Sequence, residues 1–241
     1  MVYIPYRNQV EHSATATALV LSTIHAQGTR QAQITATGQA LEHSAATATA
    51  RFQNEYRRIT GTTPILNDLL GTPDLVNWET NPFCTFANGA YHVIAAQEHA
   101  FVSCTARHTY FSDFAYQVHL HIVRGDKGGI VFRANPASGR YYLFEVASDG
   151  HYALYYYPDN TGRTAKKLAF ASSTPLAIGP QQENTISVIA RGTSLTLYIN
   201  GLYVTRVSNP SLHAGLIGVL ADDDRRATEV VYTRAQVWQL S

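Results

Sequence analysis

The chain has 241 residues, of which 45% are hydrophobic, 11% aromatic and only 15% charged, against about 25% charged in an average globular protein. Its 18 Lys and Arg nearly balance its 17 Asp and Glu, leaving a net charge of +1. This excludes a basic nucleic-acid footprint and a charged disordered tail, and two cysteines cannot build a disulfide framework or a four-thiolate zinc site.

The chain starts Met1-Val-Tyr-Ile-Pro-Tyr-Arg7, without the apolar core of a signal peptide. No stretch approaches the roughly 20 apolar residues of a spanning helix. Any export signal is therefore expected to be removed or to lie outside this numbering. Residues 8–60 are rich in Ala, Thr, Gln and Ser, hold no Pro, and are interrupted only by Gly28 and Gly38. Glu11-His-Ser-Ala-Thr-Ala-Thr-Ala18 recurs as Glu42-His-Ser-Ala-Ala-Thr-Ala-Thr-Ala50. A stripe at spacings of mostly three and four runs through Val10, Ala14, Thr17, Leu21 and Ile24, and a similar one through Ile34, Leu41, Ala45, Ala48, Phe52, Tyr56 and Ile59. That is the helical period. The Ala-Thr alternation competes with a period of two, since Thr favours strands. Helix is the preferred reading, and a disordered stalk is the bland alternative.

About fifty helical residues extend roughly 75 Å, whereas a domain of the remaining length is only about 40 Å across. The arm is thus expected to fold back at Gly28 or to pack on other chains. The second choice makes Val10, Leu21, Ile24, Ile34, Leu41 and Phe52 its assembly residues.

The texture changes near Pro64, which sets an expected division into an arm of residues 1–63 and a domain of residues 64–241. Cys84 and Cys104 flank what reads as one strand pair. With the low charge and abundant Thr, Ser, Tyr and Asn, they suggest an exported protein with one disulfide. Two buried free thiols are the alternative. Phe114 to Val123 alternates strictly, with Phe114, Tyr116, Val118, Leu120 and Ile122 on one face. A turn at Arg124–Gly129 leads to Ile130–Arg133, then to Arg140–Val146 and His151–Tyr157 around Asp149-Gly150. Further short strands run from Thr185 to Arg206, from Gly215 to Leu220 and from Glu229 to Trp238. Short alternating strands with regular turns predict a mainly β protein, an antiparallel jelly-roll sandwich preceded by an extended arm.

The succession Gly128-Gly-Ile-Val-Phe-Arg133, Tyr141-Tyr-Leu-Phe-Glu145, Asp149-Gly-His-Tyr-Ala-Leu154, Ala190 to Gly201, Gly215-Leu-Ile-Gly-Val219 and Val237-Trp238 resembles the concanavalin A-like lectin/glucanase superfamily. It is similar, closer still, to exported bacterial domains carried on Ala/Thr-rich stalks. The resemblance covers about Leu66 to Leu240. It implies the jelly roll and suggests a glycan role, without assigning an activity.

Several candidate sites follow. Glucanases of this superfamily carry Glu-x-Asp-x-x-Glu on one strand, a pattern absent here. Glu145 is the only carboxylate within the Tyr-rich strands, and a second one has no evident place. Strand alternation puts Tyr141 and Glu145 on one face, and His151, Tyr155 and Tyr157 on one face of the next strand. In register, they would set aromatic platforms beside hydrogen-bonding groups, as a sugar ring requires; otherwise these rings are core. His119 and His121 share a strand face but lack a third ligand, so no metal is expected. Asp222-Asp-Asp224 reads as a solvated turn, and Arg124-Gly-Asp126 as an ordinary turn. No cofactor motif or phosphate loop is present.

The leading expectation is a non-catalytic extracellular or cell-surface structural protein that assembles with itself, as an oligomer or filament, through its arm. The alternative is a stalk-borne carbohydrate-binding module with glycans as partners. A glycoside-active enzyme using Glu145 comes third.

Overall fold

The computed structural model describes residues 6–73, 78–159, 161–179 and 181–240, with side chains described from residue 19 onward. Val10 lies on the helix, but its side chain falls outside the described residues. The chain divides into two compact units, Met1–Arg51 and Phe52–Ser241.

One helix, α1, runs unbroken over Tyr6–Thr60, 55 residues that pass straight through Gly28 and Gly38. The competing strand signal from threonine is absorbed locally. Thr23, Thr29, Thr35, Thr37 and Thr47 each donate the hydroxyl to the carbonyl four residues back, at 2.8–3.0 Å. Such back-bonding satisfies a β-branched polar side chain inside a helix. Leu21, Ile24, Ile34 and Leu41 are exposed. The helix ends where Gly61 N–H donates to Arg57 O and Thr62 N–H to Ile59 O, just ahead of Pro64. Arg57 and Arg58 in the last turn suit its negative pole. Among the described residues, no helix is long and apolar enough to cross a membrane.

Among the described residues fourteen strands follow: β1 Leu66–Asp68, β2 Cys84–Ala87, β3 Ala90–Ala95, β4 Phe101–Thr105, β5 Phe114–Arg124, β6 Lys127–Asn135 and β7 Arg140–Ala147. The rest are β8 His151–Tyr157, β9 Lys166–Ser172, β10 Asn184–Arg191, β11 Ser194–Ile199, β12 Leu202–Ser208, β13 Leu216–Asp222 and β14 Thr228–Gln239. They form two antiparallel sheets. One has eight strands, ordered β12-β11-β10-β5-β14-β3-β2 with β1 also paired to β14; the other has six, ordered β4-β13-β6-β7-β8-β9. The hairpins β2–β3 and β11–β12 turn on Asn88-Gly89 and Asn200-Gly201, with φ of 51° and 76° in the first and 51° and 73° in the second. Left-handed residues at both turn positions match the twist of a two-residue hairpin.

The core lies between the sheets, where alternate positions such as Tyr116 and Val118 face Phe132, Tyr142, Phe144 and Val219. Tyr232 of β14 reaches across it. Its hydroxyl receives the Gly129 N–H at 2.9 Å and lies 2.6 Å from Leu220 O and 2.8 Å from Gly129 O on the opposite sheet. Cys84 of β2 and Cys104 of β4 form a disulfide between the two sheets, with Cα atoms 5.9 Å apart. Arg133, fully buried in a β6 bulge, donates to the carbonyls of Ser112, Gly192 and Leu212 and so ties three loops.

Within the second unit, the last turns of α1 cover the outer face of the eight-stranded sheet. Phe52 stacks on Tyr203 at 4.9 Å and Tyr56 on Tyr198 at 4.7 Å. Ile59 packs among Ala115, Ile189 and Trp238. Tyr56 Oη donates to Gln117 Oε1 at 2.6 Å, a buried acceptor shared with Ser187.

Candidate functional site

The outer face of the six-stranded sheet lies on the side of the sandwich away from these last turns of α1. Alternation sends Tyr142, Phe144, Tyr152, Leu154 and Tyr156 into the core, so their strand neighbours face outward. Register then sets Tyr141 opposite Tyr157, Leu143 opposite Tyr155, and Glu145 between Gly129 and Ala153. The three tyrosines pack on an apolar floor of Val131, Leu143 and Leu220. Tyr141 and Tyr157 stack at 4.6 Å, and Tyr155 lies 6.2 Å from Tyr157.

Phe101 joins them from β4, its ring 6.1 Å from Tyr141 and 6.4 Å from Tyr157. Two strands, β13 and β6, lie between β4 and β7. On a flat sheet these three steps would hold the strands about 14 Å apart. The rings meet because the face is concave.

Beside the rings lies an ionic group. Lys127 Nζ is 2.8 Å from Asp224, 3.2 Å from Asp222 and 3.9 Å from Glu145. Glu145 and Asp222 lie within hydrogen-bonding reach of each other. Burial pushes the Glu145 carboxyl up to about 8, with Lys127 opposing the shift and Asp222 adding to it. Burial likewise raises Asp222, against the pull of Lys127. The pair therefore holds one proton near neutrality, because two adjacent buried carboxylates repel each other. Burial works against the Lys127 charge, yet Glu145, Asp224 and Asp222 together hold its ammonium above the usual lysine range. Tyr157 is pushed up to about 12 by burial and by the charge of Glu145. A cleft of about 350 Å³ adjoins this group, lined among others by Lys127, Ser148, Asp149, Asp224 and Arg226.

Of the residues singled out from sequence, Tyr141, Glu145, Tyr155 and Tyr157 come together. His151 stands apart at the far end of β8, stacked on Phe170 at 5.1 Å and bonded to Ser172 at 3.2 Å. The second carboxylate without an evident place in the sequence is Asp222, two strands away across β6. Asp222–Asp224 is not simply a solvated turn. Asp222 ends β13 facing the site, Asp224 binds Lys127, and Asp223 is buried and accepts the His99 N–H at 3.0 Å. Lys127, taken from sequence as part of a turn, opens β6. Its signal was the alternation Lys127, Gly129, Val131, in step with Asp222, Leu220, Gly218 on β13. His119 pairs with Glu183 at 3.6 Å, on the other sheet. Among the described residues, no three His, Cys, Asp or Glu side chains are grouped to hold a metal ion.

The model of the 3-keto-alpha-glucoside-1,2-lyase-like domain matches residues 61–232. No curated protein matches the chain. Several solved structures share its fold. A carbohydrate-binding module from Bacillus subtilis is 17% identical, with a TM-score of 0.56 over 67% of this chain and 96% of that one. A protein of unknown function with a galectin-like fold, also from Bacillus subtilis, is 13% identical, with a TM-score of 0.57 over 74% of this chain and 96% of that one. The Bacillus licheniformis β-glucanase is 8% identical, with a TM-score of 0.54 over 75% of this chain and 100% of that one. At these identities the likeness concerns the fold.

Two expectations are corrected by these findings. The reading as a structural protein that self-assembles into an oligomer or filament gives way, because the matched family is described by a reaction on a glucoside. Phe52, expected to meet another copy, is also occupied within its own unit, between Tyr203 and an Arg206 guanidinium 5.2 Å from its ring. The expected lack of enzyme activity falls to the same family match. The chain belongs to the 3-keto-alpha-glucoside-1,2-lyase-like domain family, within the concanavalin A-like superfamily.

Proposed function

We propose that the concave face of the six-stranded sheet binds a saccharide and that the domain works outside the cytoplasm. The observation that carries this reading is the meeting of Tyr141, Tyr155 and Tyr157 with the Glu145–Asp222–Lys127 group on one concave surface. A sugar ring has an apolar C–H face and a hydroxyl rim. The first suits an aromatic ring, and the second needs donors and acceptors held in place. The carbohydrate-binding module among the structural neighbours supports the ligand class. The single disulfide and the low charge support the location. The test is a glycan array probed with the wild type, Tyr155→Ala and Tyr157→Ala. Binding by the wild type and its loss in both variants is expected; binding indifferent to both changes overturns the reading.

A second reading, turnover of the bound sugar, is favoured by the shared proton of Glu145 and Asp222. Classical glycoside hydrolysis sets its two carboxyls about 5–10 Å apart. Two carboxyls in hydrogen-bonding reach are too close for that and act as one acid–base unit. The family description points to elimination from a keto-sugar. There, Asp222 would take the proton beside the carbonyl, Glu145 would give its own to the departing glycosidic oxygen, and a C=C bond would form as the C–O bond breaks. A 3-keto-α-glucoside is expected to be cleaved by the wild type and spared by Glu145→Gln. Equal cleavage by both removes Glu145 from this role.

A further inference from the structure

The face described above continues past the tyrosines to an aromatic pair on the sheet edge. Phe170 of β9 lies opposite Ala153, which lies opposite Glu145, so the three share one row. Phe170 is 54% exposed, the only aromatic on β7, β8 and β9 among the described residues to be so open. His151 holds the ring flat, at 5.1 Å and an interplanar angle of 4°, and Ser172 holds His151. Lys167, opposite Tyr155 in the register, places its ammonium 4.7 Å from the Phe170 centroid and 5.8 Å from that of Tyr155. The lysine is exposed, and it stands between two aromatic surfaces.

We infer that Phe170, steadied by His151, is a second ring-binding subsite, and that the ligand is an oligosaccharide whose adjoining rings rest on the Tyr155 side and on Phe170. This rests on the saccharide reading above and adds to it the size of the ligand. Three features support it. The surface from Tyr157 to His151 runs about 20 Å along one strand, far longer than one pyranose ring. Ala153, the residue between Glu145 and Phe170, carries the smallest side chain of the three. Lys167 supplies an exposed ammonium donor at the junction, able to bond sugar hydroxyls when a ring takes its place on the aromatic face.

The test is calorimetric titration with glucose, maltose, maltotetraose and laminaritetraose, using the wild type, Phe170→Ala and Tyr155→Ala. Phe170→Ala is expected to weaken tetrasaccharide binding roughly three- to tenfold, the range of one aromatic contact, and to leave the shortest bound sugar unchanged. Tyr155→Ala is expected to weaken every bound sugar. Equal affinity for short and long sugars, or a Phe170→Ala variant matching the wild type on all of them, overturns the subsite while leaving the saccharide reading intact. No binding of any of the four by the wild type overturns both. Circular dichroism of Phe170→Ala, expected to match the wild type because the ring is largely exposed, separates loss of contact from loss of fold.

Discussion

The sandwich presents two outer faces built from similar materials and put to different use. On the eight-stranded sheet, Tyr198 and Trp238 lie under α1, and the hydroxyl of Tyr56 is satisfied by buried Gln117. On the six-stranded sheet, Tyr141, Tyr155 and Tyr157 are half-buried, pack on one another and share their concave surface with ionisable groups. An aromatic face covered by its own chain contributes to stability. The same face left open, beside a carboxyl kept protonated by burial, is arranged to meet something else.

Substitutions matched across the two faces sharpen this contrast. Tyr56→Ala, which removes both the stack on Tyr198 and the bond to Gln117, is expected to cost about 3 kcal/mol in denaturant unfolding, as for other large-to-small changes at buried sites. Saccharide affinity below the unfolding transition should be unchanged, and a loss of affinity in the folded variant would show that the faces are not independent. Glu145→Gln gives the next effect, visible as a pH dependence. A carboxyl whose folded value is near 8 keeps its proton where the unfolded chain, near 4.5, has released it. Stability from this group is therefore present in full below about pH 4.5 and is lost as pH rises toward 8. The wild type should lose melting temperature relative to Glu145→Gln across that window, and parallel curves would refute the shared proton. The smallest effect is expected for Tyr155→Ala, within about 1 kcal/mol of wild-type stability because the ring is partly exposed. A cost equal to that of Tyr56→Ala would mean that Tyr155 serves the core.

The legible parts of this protein are those governed by neighbours in sequence. Strand alternation placed Tyr141 with Glu145 and Tyr155 with Tyr157, since period two is set by the backbone alone. The size pattern at Phe52, Tyr56 and Ile59 marked a buried stripe on the helix. Its partner was misjudged because nothing local says that Tyr198 and Tyr203, some 140 residues later, receive it. Asp222 escaped for the same reason. Its nearness to Glu145 depends on the order β13-β6-β7, which inserts a late strand beside two middle ones. Lys127 escaped because glycines on both sides, Gly125 and Gly128, read as a turn, whereas Gly129 is needed for close approach. A Cβ there would fall 2.3 Å from Phe144 O.

The bonds made by Tyr232 have a consequence for recognition. Its hydroxyl fastens the backbone of Gly129 and Leu220 from beneath, in the row that also holds Glu145. The floor of the concave face thus loses its conformational freedom when the chain folds, before any ligand arrives, and association need not order it again. Tyr232→Phe would fill the same space and release that fastening. A cradle that now exists in advance would have to be assembled at each encounter.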